Sequence, residues 1–566
     1  MIAVPPSIQA HQAPYHRYVK QLRRPLWERT CLFEAGVGKN INGNMFALVK
    51  ELCSNPAYRD FEPVFSVNKD MLPAAKERFS AYGLDRIRLV VLESDEYNEC
   101  LARAKYLFND NTFPAYFTKR PDQVYLNTWH GTPLKRLGMS DIENSLRSFA
   151  NVQKNLLTAD YDLFPNEYTK DVFMEDYDLM PFFSGASVVC DYPRNDVFSD
   201  GSIYALMRAR EHIPDDQQVI AYMPTWRGSG RTADSEGQIE QVTQLLTDID
   251  AALRDDQTFY VNLHFVVQGA VDFTAFQHVK PFPKQYETYD FLAACDVLVT
   301  DYSSVMFDYA VTGRPIVLFA YDEDEYMTDK GTYFPYRSLP FPIVSSANEL
   351  VEQLGNASPI DGYEQFGQRF CSHHTGHAAQ SLLSLMLHGN EGTLQLEKHQ
   401  QWDIDDALYV FSLGKKRVRE TLLDQIIARA NDHTVLITTA SYSEGAIEAF
   451  RKLAGKVHML VIVRRQVQSS SEKKTFELMS GHRSASRLLE GRLGDYFARE
   501  AGQMLCGVRF KRFCALAPDG SYLMWMAKGT DSTLIAELKD ASIVGKKAHR
   551  AAEICVARGY VLQSNK

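Results

Sequence analysis

Short apolar runs alternate with amphipathic stretches along most of the chain. Cys31-Leu32-Phe33-Glu34 precedes glycines at 36, 38 and 43 and a helical stretch over 45–52. Apolar runs follow at 64–67, 88–92, 106–108 and 124–126, with helical segments between several of them. Strands alternating with helices predict a doubly wound parallel sheet. The three glycines do not match the spacing of the dinucleotide fingerprint, which favours a tight strand-to-helix turn over an NAD site.

A second strand–helix series is expected from Ser187-Val188-Val189 onward, through 219–223, 263–267, 297–300 and 316–319. Asp215-Asp216 and Gly228-Ser229-Gly230 supply turns between them. Two halves, near 28–185 and 186–385, would enclose a cleft, with ligands at the carboxyl ends of the strands. His388-Gly389-Asn390-Glu391-Gly392 reads as a linker. Beyond it, 400–566 shows a further small α/β unit: strands at 408–411, 435–438 and 457–463, helices at 418–430 and 446–453, and a helix expected from Phe476. No short-period repeat is present, and the last unit carries no recognisable chemistry.

Residues 1–27 form a basic N-terminal segment. From His11 to Arg29, Arg17, Lys20, Arg23, Arg24 and Arg29 interleave with Tyr15, Tyr18, Val19 and Leu22 at helical spacing. Two readings fit: an amphipathic helix at a membrane surface, or a helix packed on its own domain.

With 566 residues the chain exceeds one hydrophobic core, and roughly three or four units are expected. Lys+Arg is 61 against Asp+Glu 71, a net charge of −10, which argues against a nucleic-acid surface. Charged residues at 23% and hydrophobic residues at 45% exclude wholesale disorder. Nine cysteines without a C-x-x-C pair predict reduced thiols, not a zinc site or disulfide framework. No apolar stretch approaches the ~20 residues of a membrane span, and the start lacks the order of a signal peptide. A cytoplasmic protein is expected, with any membrane contact peripheral.

Two stretches concentrate the chemistry. In Trp129-His130-Gly131-Thr132-Pro133-Leu134-Lys135, an imidazole follows the strand 124–126 at its carboxyl end. A histidine there can take a proton near neutral pH, which suits activation of an alcohol; a satisfied structural histidine fits the spacing equally well. In Thr300-Asp301-Tyr302-Ser303-Ser304-Val305-Met306-Phe307-Asp308-Tyr309, a strand leads through a polar turn into a helix with Ser303 or Ser304 near its N-cap. The free N–H groups of such a turn suit phosphate.

Pro224-Thr225-Trp226-Arg227 follows the strand 219–223, and Asn262-Leu263-His264 lies in the next strand region. Arg227, and Arg194 within Pro193-Arg194-Asn195-Asp196, could neutralise phosphate, although each taken singly reads as a surface or ion-pair residue. Asp248-Ile249-Asp250 and Asp322-Glu323-Asp324 match only a loose D-x-D pattern, so no metal site and no cofactor are expected.

These motifs, in this order, resemble the CDP-glycerol glycerophosphotransferases, the enzymes of teichoic acid and related capsule polymer synthesis. The resemblance covers about 28–385. It implies a GT-B-like α/β fold: two Rossmann-like doubly wound domains around a cleft, the second binding the CDP-polyol, with 400–566 left as a C-terminal α/β accessory domain. It implies transfer of glycerol phosphate from CDP-glycerol to a hydroxyl of a lipid-linked or growing polyol-phosphate polymer, with release of CMP and without metal, at the cytoplasmic membrane face.

By motif, His130 would be the general base and His264 would contact the donor phosphates. Thr300, Ser303 and Ser304, with Asp301 beside them, would hold the pyrophosphate, and Asp308 would support the same site. Arg194, Pro224, Thr225 and Arg227 would line the nucleotide pocket, and Trp129, Gly131, Thr132, Pro133 and Leu134 would border the substrate. A CDP-ribitol donor, a nucleotide-sugar glycosyltransferase on the same fold and a non-catalytic scaffold are the competing readings.

Overall fold

The protein is represented by a computed structural model that describes residues 13–225, 235–263, 269–355, 362–414, 420–439, 442–463, 469, 471–475, 493–517 and 533–536. Strands β1 (Trp27–Glu34), β2 (Glu62–Val67), β3 (Arg88–Val91), β4 (Ala104–Asn109), β5 (Val124–Asn127), β6 (Tyr161–Phe164) and β7 (Ala186–Val189) form one parallel sheet ordered β7-β6-β5-β4-β1-β2-β3. The last five residues of β1 are all buried, as expected of a central parallel strand covered on both faces. Helix Gly43–Ser54 packs Met45, Phe46 and Val49 on one face, and Asp95–Arg103 packs Tyr97 and Leu101 on the other.

One row of this sheet is polar throughout. Ser66, Glu34, Asn109, Asn127, Asp162 and Ser187 stand in register on six adjacent strands, all buried. The row lies one residue short of the loops that carry Asp110 and Thr128.

Strands β8 (Gln218–Met223), β9 (Gln257–Val261), β10 (Val279–Pro281), β11 (Val297–Thr300), β12 (Ile316–Phe319) and β13 (Ile343–Val344) form a second parallel sheet ordered β10-β9-β8-β11-β12-β13. The strand at 186–189, read from sequence as the start of this half, belongs instead to the first sheet, where it pairs with β6. The chain also returns to the first domain after the second. Helix Ala378–His388 buries Leu382, Leu383 and Met386 in the first core, and β14 (Gln395–Lys398) pairs antiparallel with β7. Sequence periodicity cannot register such a return, because it reports burial and not the sheet that provides it.

A third parallel sheet, ordered β17-β16-β15-β18-β19, holds β15 (Asp406–Val410), β16 (Thr434–Thr439), β17 (His458–Ile462), β18 (Arg512–Ala517) and β19 (Thr533–Ala536). Its core is continuous with helix Ile142–Thr158 of the first domain, joining Phe149 and Leu156 to Phe450 and Leu460. Gln153, fully buried between them, accepts from the Val461 N–H and donates to the Met459 carbonyl, each at 2.8 Å. The helix expected from Phe476 lies outside the described residues.

The basic N-terminal segment packs on its own domain. In helix Ala13–Gln21, Tyr18 and Val19 are buried, the Tyr18 hydroxyl donates to the Thr118 carbonyl at 2.9 Å, and Arg17 pairs with Asp95. Of the two readings of this stripe, the described residues fit the helix packed on its own domain at Tyr18 and Val19.

Candidate active site

The strand β5 ends at Asn127, and Trp129 then adopts a left-handed backbone with φ of 50°. For a bulky residue this is strained, and neighbours must hold it. Asn127 Oδ1 accepts the Trp129 N–H at 2.9 Å, and the Trp129 carbonyl accepts from Asn44 Nδ2 at 3.1 Å and Thr128 Oγ1 at 2.9 Å. The indole stacks on the His130 ring, with centroids 4.5 Å apart.

His130 Nδ1 lies 2.7 Å from the backbone carbonyl of Asp110. A carbonyl only accepts, so Nδ1 carries a proton, and in the neutral ring Nε2 keeps its lone pair. The residue is exposed at this turn, yet the surrounding protein displaces enough water to hold its pKa below the usual histidine value. The Arg194 charge acts in the same direction, and the bond to Asp110 opposes both. The Asp110 carboxylate accepts the Gly36 N–H at 2.7 Å, and burial pushes its pKa up to about 7. Gly36, Val37 and Gly38 all have positive φ, so the turn after β1 folds tightly against this carboxylate. The residue pattern marks the turn but not Asp110, whose partner Gly36 lies 74 positions away.

Gly131 meets the second domain. A Cβ built on it would lie 2.4 Å from Ser304 Oγ, so the His130 turn and the Ser303-Ser304 turn touch without an intervening side chain. Ser303 and Ser304 are half-buried; Ser304 occupies the N-cap position of the short helix Val305–Tyr309 and makes no side-chain cap bond. Thr132 is buried, and the Pro133 carbonyl accepts from the Tyr168 hydroxyl at 2.7 Å. Leu134 is buried in the core of the second sheet. These three residues carry the chain across to the second domain and do not border open space.

Arg194 departs further from expectation. Its guanidinium lies between the rings of Tyr192 and Tyr289, donates to Asp308 Oδ2 at 2.8 Å and reaches the His130 carbonyl at 3.1 Å. Asp308 is 2% exposed and also accepts from the Tyr289 hydroxyl at 2.7 Å. Burial raises the Asp308 pKa, while Arg194 and Tyr289 oppose that rise. The arginine charge is therefore paired with Asp308 inside the protein, and its NH1 donates to the carbonyl of the His130 turn.

Thr300 and Asp301 are likewise turned inward. Thr300 Oγ1 donates to the Met223 carbonyl at 2.6 Å, and the Asp301 carboxylate accepts the Thr225 N–H at 2.8 and 3.0 Å. They tie the end of β11 to the Pro224-Thr225 segment after β8. His264 and Arg227 lie outside the described residues.

The D-x-D patterns are also occupied. The Asp250 carboxylate accepts the backbone N–H groups of Gln277, His278 and Val279 at 2.7–3.0 Å, and Asp322 accepts from the Tyr302 hydroxyl at 3.1 Å. Among the described residues no group of three or more His, Cys, Asp or Glu could hold a metal, and no helix is long and apolar enough to cross a membrane.

A further contact sets the two domains together. Glu287 of the second domain accepts the Gly43 N–H of the first at 2.9 Å, and burial together with the nearby Asp290 raises its pKa. Nothing in the local pattern around Glu287 marked it in advance.

The chain is 31% identical over 374 residues to the teichoic acid glycerol-phosphate transferase of Staphylococcus aureus, covering 62% of this chain and 90% of that protein. It is 29% identical over 385 residues to the teichoic acid poly(glycerol phosphate) polymerase of Staphylococcus epidermidis, covering 63% of this chain and 50% of that one. Against that polymerase and its Bacillus subtilis counterpart, the chain spans only about half the relative's length. The solved structure of the wall teichoic acid polymerase TagF superposes with a TM-score of 0.56 at 24% identity, covering 68% of this chain and 95% of that one, which supports the GT-B-like fold. The sequence model of one family matches residues 16–388, spanning both sheets and the turns that meet at Gly131 and Ser304, and the chain belongs to that family, the CDP-glycerol:poly(glycerophosphate) glycerophosphotransferases.

Proposed function

We propose that this chain transfers glycerol phosphate from CDP-glycerol to a hydroxyl of a polyol-phosphate polymer or its lipid-linked primer, releasing CMP. The observation that carries this reading is the pairing of His130, held through Nδ1 so that Nε2 of the neutral ring can accept, with the Ser303-Ser304 turn across the Gly131 contact. The acceptor oxygen attacks the phosphorus next to glycerol, a new P–O bond forms, the P–O bond to CMP breaks, and the hydroxyl proton passes to His130 Nε2. General base catalysis of this kind contributes on the order of 10²–10⁴ in rate.

The Ser303 and Ser304 hydroxyls and the N–H groups of their turn are assigned to the donor's phosphates, where negative charge spreads during in-line transfer. His264 and Arg227 are assigned to the same phosphates by motif. Trp129 fixes the His130 ring, and Arg194, Asp308, Thr300 and Asp301 hold the two turns in place. The reading includes a cytoplasmic enzyme, peripheral at the inner membrane face.

The test incubates purified protein with CDP-glycerol, CDP-ribitol and several nucleotide sugars in parallel and sizes the products on a defined acceptor. CMP release with CDP-glycerol and a product ladder are expected. CMP from CDP-ribitol alone would reassign the donor, and UDP from a sugar donor would overturn the reading.

A further inference from the structure

Beneath the Arg194–Asp308 pair lies a second buried carboxylate, Asp191, which the guanidinium does not contact. Asp191 Oδ1 accepts the Tyr192 N–H at 2.7 Å and Asn195 Nδ2 at 2.8 Å, and the same Asn195 amide reaches Asp308 Oδ1 at 3.4 Å. One amide group therefore links the two acids. A buried acid without a further donor would be costly.

That donor is His374, from the loop after helix Tyr363–Phe370 and outside every motif of the sequence. Its Nδ1 lies 2.6 Å from Asp191 Oδ2, and its Nε2 lies 2.7 Å from Ser199 Oγ. The Asp191 carboxylate only accepts, so Nδ1 carries a proton, and in the neutral ring Nε2 accepts from the Ser199 hydroxyl. Gly376 closes the loop against this pair: its φ is +73°, and a Cβ there would lie 2.5 Å from Ser199 Cβ.

We propose that His374 is a positioning residue for the transfer reaction, acting through Asp191, Asn195, Asp308 and Arg194 on the backbone carbonyl of His130. The inference rests on the proposed function, and it adds a residue about 240 positions from the base that no motif marks. Each member of the chain has a defined neighbour. His374 fixes Asp191 Oδ2, Asp191 orients Asn195, Asn195 meets Asp308, and Asp308 holds the guanidinium that donates to the His130 carbonyl at 3.1 Å. Loss of the imidazole leaves Asp191 free to turn toward water, and the displacement reaches the base through three side chains. Sub-ångström misplacement of a base lowers turnover without removing any substrate contact.

The test compares His374→Ala, His374→Asn and, as a surface control, His377→Ala in the full chain. With CDP-glycerol, His374→Ala is expected to lower kcat for CMP release about 10–100-fold, with KM changed less than about threefold. His374→Asn, whose amide can donate to Asp191, is expected to recover most of the loss, and His377→Ala to match the parent protein. A parallel measurement needs no turnover: in protein labelled with ¹⁵N-histidine, the His130 ring resonances should shift in His374→Ala and not in His377→Ala. Unchanged His130 resonances, or a kcat equal to that of the parent, would overturn the positioning role. Absence of CMP release by the parent protein would instead refute the assigned donor, and the resonance comparison would still decide the coupling.

Discussion

Gly131 and Ser304 are in direct contact: a methyl group on Gly131 would lie 2.4 Å from the serine hydroxyl oxygen and 3.1 Å from its Cβ. The contact sets the distance between the turn that carries the base and the turn assigned to the donor's phosphates. Gly131→Ala is therefore expected to push the turns apart, lowering CMP release at least tenfold and stability by about 1–3 kcal/mol. Adding Ser304→Gly should restore stability without restoring activity. Thermal melting alongside a CMP-release assay reads both.

The Arg194–Asp308 pair is buried at 8% and 2% side-chain exposure, so breaking it from one side leaves a stranded charge. Asp308→Ala should cost about 3–5 kcal/mol, and Asp308→Ala combined with Arg194→Met should cost less than the two single changes together. Urea unfolding of the four proteins in the cycle gives the coupling directly.

His130 must be neutral to accept a proton, and its pKa lies below the ordinary histidine value of about 6.5 because of lost hydration and the Arg194 charge. The protonated, inactive form therefore accumulates only at lower pH than for a free imidazole. The acid limb of the kcat/KM profile is expected below about pH 6.5, and Arg194→Met should move it upward. A limb at or above 7 would remove His130 from the role of base.

Glu34 is fully buried, accepts from the hydroxyls of Tyr97 at 2.7 Å and Ser66 at 2.9 Å, and burial raises its pKa to about 7. Its folded pKa exceeds the unfolded value of about 4.3, so its stabilising contribution is complete below that value and is lost as pH rises through 7. Glu34→Gln, which keeps an accepting oxygen, should raise stability at pH 8 by on the order of 2 kcal/mol and change it little at pH 4. Melting temperatures at the two pH values check the sign.

Metal-independent transfer is the expectation from sequence, and the Asp248-Ile249-Asp250 match offers no opposing candidate, since Asp250 is already held by three backbone N–H groups. CMP release should persist after exhaustive chelation. A rate restored only by added Mg²⁺ or Mn²⁺ would contradict it.

Much of the architecture was legible because parallel strands buried on both faces leave continuous apolar runs, as in β1, β4 and β11, and glycines 36, 38 and 43 mark a turn wherever they occur. The site was partly legible for the same reason: His130 and Ser304 each sit just past a strand's carboxyl end. Asp110, Glu287, Asp191 and His374 were not. They act through hydrogen bonds to backbone or to one another, and no local pattern encodes a partner 80 or 240 positions away.

The sequence alone determined the strand–helix alternation, the membership of two motif-bearing turns in one family and the acidic overall charge, since these depend on residue type and spacing. Only the tertiary structure decided which groups face each other. It placed the strand 186–189 in the first sheet and returned helix Ala378–His388 to the first core. It matched the Arg194 charge to Asp308 within the protein and set Nδ1 of His130 against the Asp110 carbonyl. Pairings of this kind follow from packing and desolvation in three dimensions, where the burial of one group is satisfied by another that the chain brings close only by folding.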